Sequence, residues 1–338
     1  MRLFLIRHGE TVDNIAQVYA GSRDSELTNH GYQQAARLGV HFNALGLAFT
    51  HIFSSHLQRA SKTAGLIRDA QITQSADQSG AGAVPDVVQL PALMEQDFGF
   101  YEGKKWDERP ADARVTGKHR HNHDHGSTSG FVEMESFSSM VQRIDAFIDT
   151  HLLPLFSGPT ASTSDAVAIV SHGIILSVLW KRLLLRLPPK SVAFSPELSA
   201  NIRDYSLERL GGWSNTGYLE LLMEKATLLE PFSAEDSTLP LPPASALQPS
   251  KVKLDSAKGE IARPDIRQGA PDRITKHRVL DAQSALIKLP GEWRTTIQTI
   301  NGRDHLKGLK RAGGGLGSAR HDASQRNIET FFKRRKRD

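Results

Sequence analysis

The sequence predicts an α/β protein: a three-layer α/β/α sandwich around a mostly parallel central sheet, followed by a largely disordered tail. Three observations lead there. Short apolar runs recur from Leu3 to about Lys225, with segments of good helix formers between them. Strands alternating with helices favour parallel pairing, with both faces of the sheet covered. Past Lys225 the chain turns rich in Pro, Gly, Ser and charge and loses sustained periodicity.

Taken in order, residues 2–7 read as a buried strand bounded by Gly9, and Gly31 to Leu38 as a helix. His51 to Ser55 is a short strand, Leu57 to Ala70 a helix, and Val84 to Leu90 is extended. Phe137, Met140, Val141, Ile144, Phe147, Ile148 and Leu152 recur at helical spacing between Glu133 and Phe156. Ala166 to Ser171 is a continuous apolar strand, and Ile174 to Leu187 a helix that Pro188 and Pro189 end. Tyr205 to Leu210 and Tyr218 to Leu222 read as two closing strands.

Two polar inserts interrupt this pattern, Gln74 to Ala83 and Lys118 to Gly130. The second alternates His119, His121, His123 and His125, which suits metal binding by imidazole clustering, but no neighbouring carboxylate pattern fixes a geometry. It is read as a solvated loop, and no metal and no cofactor are expected.

Sheets of this class bind ligands at the carboxyl ends of their strands. Arg7-His8-Gly9 and Ser171-His172-Gly173 fall at two such ends, which suggests one imidazole used as a nucleophile with a second beside it.

Composition divides the chain of 338 residues. Residues 1–225 carry 21 Lys and Arg against 24 Asp and Glu, and residues 226–338 carry 21 against 13, so the basicity belongs to the tail. The absence of cysteine excludes disulfides and thiolate metal sites. Met1 leads directly into the first strand, with neither a secretory leader nor an apolar run of membrane-spanning length. The expected location is the cytoplasm, the nucleus or both.

Leu5-Ile6-Arg7-His8-Gly9-Glu10-Thr11, Asn14, Leu27-Thr28, Gly31 and Gln34-Ala35 together resemble the opening of the histidine phosphatase superfamily, in its phosphoglycerate-mutase-like branch. Ser54 to Ala60 with Arg59, Leu93-Met94-Glu95, Phe98-Gly99, Glu102-Gly103 and Ser171-His172-Gly173 resemble its later blocks in the same order, over residues 1–225. The resemblance implies a phosphatase that hydrolyses phosphate monoesters through a phosphohistidine on His8. Phosphoryl transfer spreads charge over equatorial oxygens, so fixed donors are needed, and Arg7, Arg59, His172, Asn14 and Gly173 would bind the phosphoryl group. His172 is expected to be protonated beside the phosphate.

Glu95, by the resemblance, is the general acid and then base. Glu10, placed towards solvent or the entrance, and Glu102, in a turn with Gly103, are not expected to donate protons. The sequence departs from the family at His56 and in the inserts 74–83 and 107–132, and the latter puts substrate identity in doubt. A phosphoglycerate-mutase-type phosphotransferase is the alternative, with Lys104, Lys105 and Arg109 as cations for a carboxylate-bearing substrate.

In the tail, residues 226–250 read as a linker, and Leu286 to Leu289 and Trp293 to Ile300 as apolar islands. Gln325, Ile328, Phe331 and Phe332 have the spacing of the PCNA-interacting peptide, in which one helical turn presents aliphatic and aromatic anchors on one face. The motif 325–332 precedes a basic run, 333–337, suited to nuclear import or to weak nucleic-acid contact. A third reading is therefore a clamp-binding interaction protein whose hydrolysis is incidental.

Overall fold

The computed structural model describes residues 1–76, 83–108, 131–157, 165–201, 206–225, 286–289, 291 and 293–322. Its elements run β1 (Arg2–Arg7), α1 (Val12–Ala16), α2 (Asn29–Ala44), β2 (His51–Ser55), α3 (Gln58–Ala76), β3 (Val87–Leu90), α4 (Phe137–Phe147), β4 (Ala166–Ser171), α5 (Gly173–Arg186), β5 (Val192–Phe194), β6 (Tyr218–Lys225) and β7 (Trp293–Gly302).

The sheet has seven strands in the order β3-β2-β4-β1-β6-β7-β5. The β3-β2, β2-β4, β4-β1 and β7-β5 pairs are parallel, while β6 runs antiparallel to both β1 and β7. Alternation along β1 sets the layers. Leu3 and Leu5 face a core shared with Ile144 and Phe147 of α4 and Leu176 and Leu179 of α5. Phe4 and Ile6 face the opposite core, with Leu38 and Phe42 of α2 and Ala64 and Ile67 of α3.

Two of the main helices start where the sequence supplies a side-chain cap. Thr28 accepts the Gly31 N–H ahead of α2, and Ser136 accepts the Ser139 N–H ahead of α4.

Two expectations are corrected. Ser206 to Leu210 is not a strand; Ser206 and Arg209 face each other across a tight turn. The boundary at residue 225 is also too early. Trp293 to Gly302, expected in the tail, is β7, lodged between β6 and β5 with Trp293 fully buried against Phe156. Trp293, Thr295 and Ile297 alternate inward along it, a half-buried strand pattern that follows more than sixty residues of linker-like composition. The described residues between Ile287 and Asp322 thus join those of the first 225 in one unit. Among the described residues no helix is long and apolar enough to cross a membrane.

Candidate active site

Strand register brings the two histidines together. Arg7 pairs with Ser171 across β1 and β4, so the residues that follow, His8 and His172, leave adjacent strand ends side by side, with ring centroids 5.1 Å apart. Both rings are buried. His8 Nδ1 lies 2.7 Å from the Gly9 carbonyl, and a carbonyl only accepts, so Nδ1 carries the proton and Nε2 keeps the lone pair. Burial, then the charges of Arg59 and Arg7, hold His8 well below the usual imidazole range, and the ring is neutral at physiological pH.

His172 has the opposite tautomer. Arg59 Nε donates to His172 Nδ1 at 3.1 Å, which leaves the ring proton on Nε2. That Nε2 is buried and has no hydrogen-bond partner among the described residues. Burial, then Arg59, hold His172 well below its ordinary value, so in the protein by itself the ring is neutral, whereas the imidazolium is expected beside a phosphate. It still offers one N–H, on a ring whose centroid lies 5.1 Å from that of His8.

Arg59 differs from the free fork that the sequence suggested. Its Nη1 donates to the Arg23 carbonyl at 2.8 Å, and its Nη2 to the Ala20 and Gly21 carbonyls at 3.1 and 2.8 Å, so one N–H of five remains for a phosphate. The same loop is gripped from its other side by Glu102, whose carboxylate accepts the N–H groups of Gly21, Ser22 and Phe98 at 2.9 to 3.1 Å. Glu102, expected to be structural in a turn, thereby fixes the loop that holds Arg59, which in turn orients His172.

Arg7 donates through Nη1 to the Trp213 carbonyl at 2.6 Å, and its buried Nε has no partner among the described residues. Asn14 Oδ1 accepts from Asn215 Nδ2 at 3.1 Å, which directs its own amide N–H groups elsewhere, as a neutral donor requires. Glu95 sits at the N-terminus of α5, its carboxylate accepting the Ile174 and Ile175 N–H groups at 3.2 and 3.1 Å and the Gln96 N–H at 3.0 Å.

The two glycines after the histidines do different work. A Cβ on Gly9 would stand 2.5 Å from the Gly31 carbonyl oxygen, so the close approach of β1 to α2 demands glycine there. A Cβ on Gly173 would meet nothing within 4 Å. The space beside Gly173 is open, while the Ile174 and Ile175 N–H groups of the α5 N-terminus are taken by the Glu95 carboxylate.

Glu10 does not face solvent; it is buried, bonded by the Thr28 hydroxyl and clasped by Arg311. Lys104 is not a free cation, because its ammonium rests over the Phe100 ring. Thr63, which accepts the Gly9 N–H, and Thr216, whose N–H meets the Arg7 and His8 carbonyls, are contacts that no local pattern announces. Among the described residues no group of three His, Asp or Glu is placed to hold a metal ion. Arg109, the histidines 119–125, the motif 325–332 and the basic run 333–337 lie outside the described residues.

Comparison with known proteins gives a consistent result. The sequence model of the histidine phosphatase superfamily (branch 1) matches residues 3–205. A protein of Erwinia tasmaniensis named "Probable phosphoglycerate mutase GpmB" is 35% identical over 186 residues, 54% of this chain and 75% of that protein. One of the same name from Yersinia enterocolitica is 32% identical over 212 residues, 62% of this chain and 84% of that protein. Among solved structures, a mycobacterial glucosyl-3-phosphoglycerate phosphatase aligns with a TM-score of 0.43 at 21% identity, covering 66% of this chain and 92% of that one.

Proposed function

The chain belongs to the histidine phosphatase superfamily, branch 1, and from that premise we propose that it hydrolyses phosphate monoesters through a phosphohistidine on His8. One observation carries the reading: His8 presents a lone pair on Nε2 beside a buried, unpartnered Nε2–H of His172. A nucleophile and a donor in this pairing suit a phosphoryl group and few other substrates.

In the first step the His8 Nε2 lone pair forms a bond to phosphorus as the ester P–O bond breaks, and protonated Glu95 gives its proton to the leaving alkoxide. In the second, water attacks phosphorus, the P–N bond breaks, and Glu95 takes the water's proton. Arg7, His172, the Asn14 amide, the Gly173 N–H and the remaining N–H of Arg59 supply donors for the equatorial oxygens, whose charge grows in the transition state. The test uses an aryl phosphate and acid-labile phosphate on the full chain. His8→Asn is expected to abolish both, and phosphate release at the native rate by this variant would refute the assignment.

The names of the curated relatives favour a second reading, a phosphoglycerate-mutase-type transfer. Engagement of Lys104 with Phe100 weighs against that residue as the cation for a carboxylate-bearing substrate, while Lys105 is exposed. Isomerisation of phosphoglycerate without release of phosphate would decide for the mutase. The proposal extends to docking of Gln325, Ile328, Phe331 and Phe332 on PCNA, supported by residue pattern. A pulldown that still retains PCNA with Phe331→Ala and Phe332→Ala combined would refute it.

A further inference from the structure

The chain beyond β7 returns to the loop that carries His8. His321 N–H donates to the Leu27 carbonyl and Asn29 N–H to the Ala319 carbonyl, both at 2.9 Å, with Thr28 and Arg320 bridged between them. Residues 26–28 pair inward in turn: Val12 N–H reaches the Glu26 carbonyl and Thr28 N–H the Glu10 carbonyl, both at 3.0 Å. Segments 10–12, 26–28 and 319–321 are therefore three rungs of one small ladder. The outer rung is a strap from the far end of the chain, and the His321 ring stacks on Tyr32 at 3.8 Å to hold it.

Arg311, in the same strap, reaches past the middle rung to the inner one. Its Nη1 donates to Glu10 Oε1 at 2.8 Å and its Nη2 to Glu10 Oε2 at 2.5 Å, the fork-to-fork geometry that suits guanidinium and carboxylate. Its Nη1 also meets Ser318 Oγ at 3.0 Å, which ties the cation to the strap's own fold. Glu10 is 8% exposed, and apart from Arg311 its carboxylate has the Thr28 hydroxyl.

We propose that Arg311 is a positioning residue for the His8 nucleophile, acting through Glu10. The inference rests on His8 being the nucleophile. Glu10 follows directly on Gly9, whose carbonyl accepts the His8 Nδ1–H and so fixes which ring nitrogen keeps the lone pair. A buried carboxylate stripped of its cation is costly and seeks water. The Gly9–Glu10 peptide is held by the Glu10 N–H bond to Gln34 Oε1 at 3.0 Å, so the proposed coupling runs through a shift of the residue 10 backbone as water reaches its carboxylate, which would move the Gly9 carbonyl. Arg311 lies outside residues 3–205, the part matched to the family, so this hold on the nucleophile is supplied by the chain's own C-terminal segment.

The test uses the full chain with Arg311→Ala, Arg311→Lys, Glu10→Gln and the double variant of Arg311→Ala with Glu10→Gln. Three quantities are read: kcat and KM on an aryl phosphate, the urea midpoint, and the His8 ring tautomer by side-chain ¹⁵N NMR. Arg311→Ala is expected to lower kcat about tenfold with KM within about twofold, because a nucleophile out of line costs rate more than binding. Arg311→Lys recovers part of the loss, the double variant is no slower than Arg311→Ala, and the His8 ring becomes a mixture of tautomers in Arg311→Ala. A native tautomer and native kcat in Arg311→Ala, with only a lowered urea midpoint, overturn the proposal. Additive losses in the double variant overturn it too. Should native protein hydrolyse no monoester, the proposed function fails, and the His8 tautomer still decides the part played by Arg311. Should Arg311→Ala fail to fold, Arg311→Lys and Glu10→Gln carry the same readouts.

Discussion

Lowering the pH should destabilise this fold by a calculable amount through His305. That residue lies just after β7, 6% exposed, with Nε2 2.9 Å from Thr216 Oγ1 and Nδ1 buried without a partner among the described residues. Thr216 in turn offers its N–H to the Arg7 and His8 carbonyls, both at 3.1 Å, so the contact braces the segment that carries His8. Burial first, then His41, takes His305 from 6.5 down to about 4, with Asp304 opposing.

The sign follows from proton uptake. Below about pH 6.5 the unfolded chain protonates this histidine, while the folded chain refuses the proton until about pH 4. The unfolded state therefore binds more protons across that window, and the stability that is full above about pH 6.5 is lost as the pH falls through it. At about 1.4 kcal/mol per unit, the loss from His305 alone reaches about 2.5 kcal/mol by about pH 4.5. His8 and His172 are shifted in the same direction and steepen the native curve further. Urea unfolding of native protein and His305→Gln between about pH 8 and about pH 4.5 reads the difference directly. The native protein's stability, measured relative to the variant, is expected to fall by about 2.5 kcal/mol across that range. Parallel curves would show that His305 takes up its proton alike in the folded and unfolded chain, and refute the reasoning.

Trp293→Ala should cost about 3 to 5 kcal/mol and lower the melting temperature, since the side chain is fully buried in the sheet; a thermal shift like that of a surface substitution would return residues 293–302 to a tail. Gly9→Ala and Gly173→Ala should separate packing from function. The first lowers the urea midpoint through its clash with Gly31, whereas the second leaves the midpoint unchanged or raised and lowers kcat/KM, because its methyl enters the space left for substrate. Equal effects on stability would mean that the space before α5 has no such role. Arg7→Ala removes one of the charges that lower the His8 pKa, so the acid limb of kcat/KM should move to higher pH as the rate falls; an unmoved limb would assign the shift to burial and Arg59.

Much of the site was legible because its chemistry is carried by residues at strand and helix ends. β1 and β4 announce themselves as unbroken apolar runs, and each His-Gly pair follows at once, so placing the strands also placed His8 and His172. The protonation states were not legible. That His172 is neutral, and that four of the five N–H groups of Arg59 are spent on protein acceptors, depends on the loop 20–23 folding back over α3, with Glu102 gripping its far side.

The pattern along the chain was enough for the alternation that makes the sheet and for the family to which the ordered blocks belong, and it named the candidate site residues. Local periodicity suffices for these, because burial on a strand or helix repeats every two or 3.6 residues. Which distant segments close the sheet and which cation pairs with Glu10 depended on long-range contact. β7 completes its half of the sheet across a long insert, and Arg311 meets Glu10 from 301 positions away. An ion pair at that separation leaves no periodic trace in the chain; it exists because the ladder of 10–12, 26–28 and 319–321 brings a guanidinium to a carboxylate that burial has deprived of water.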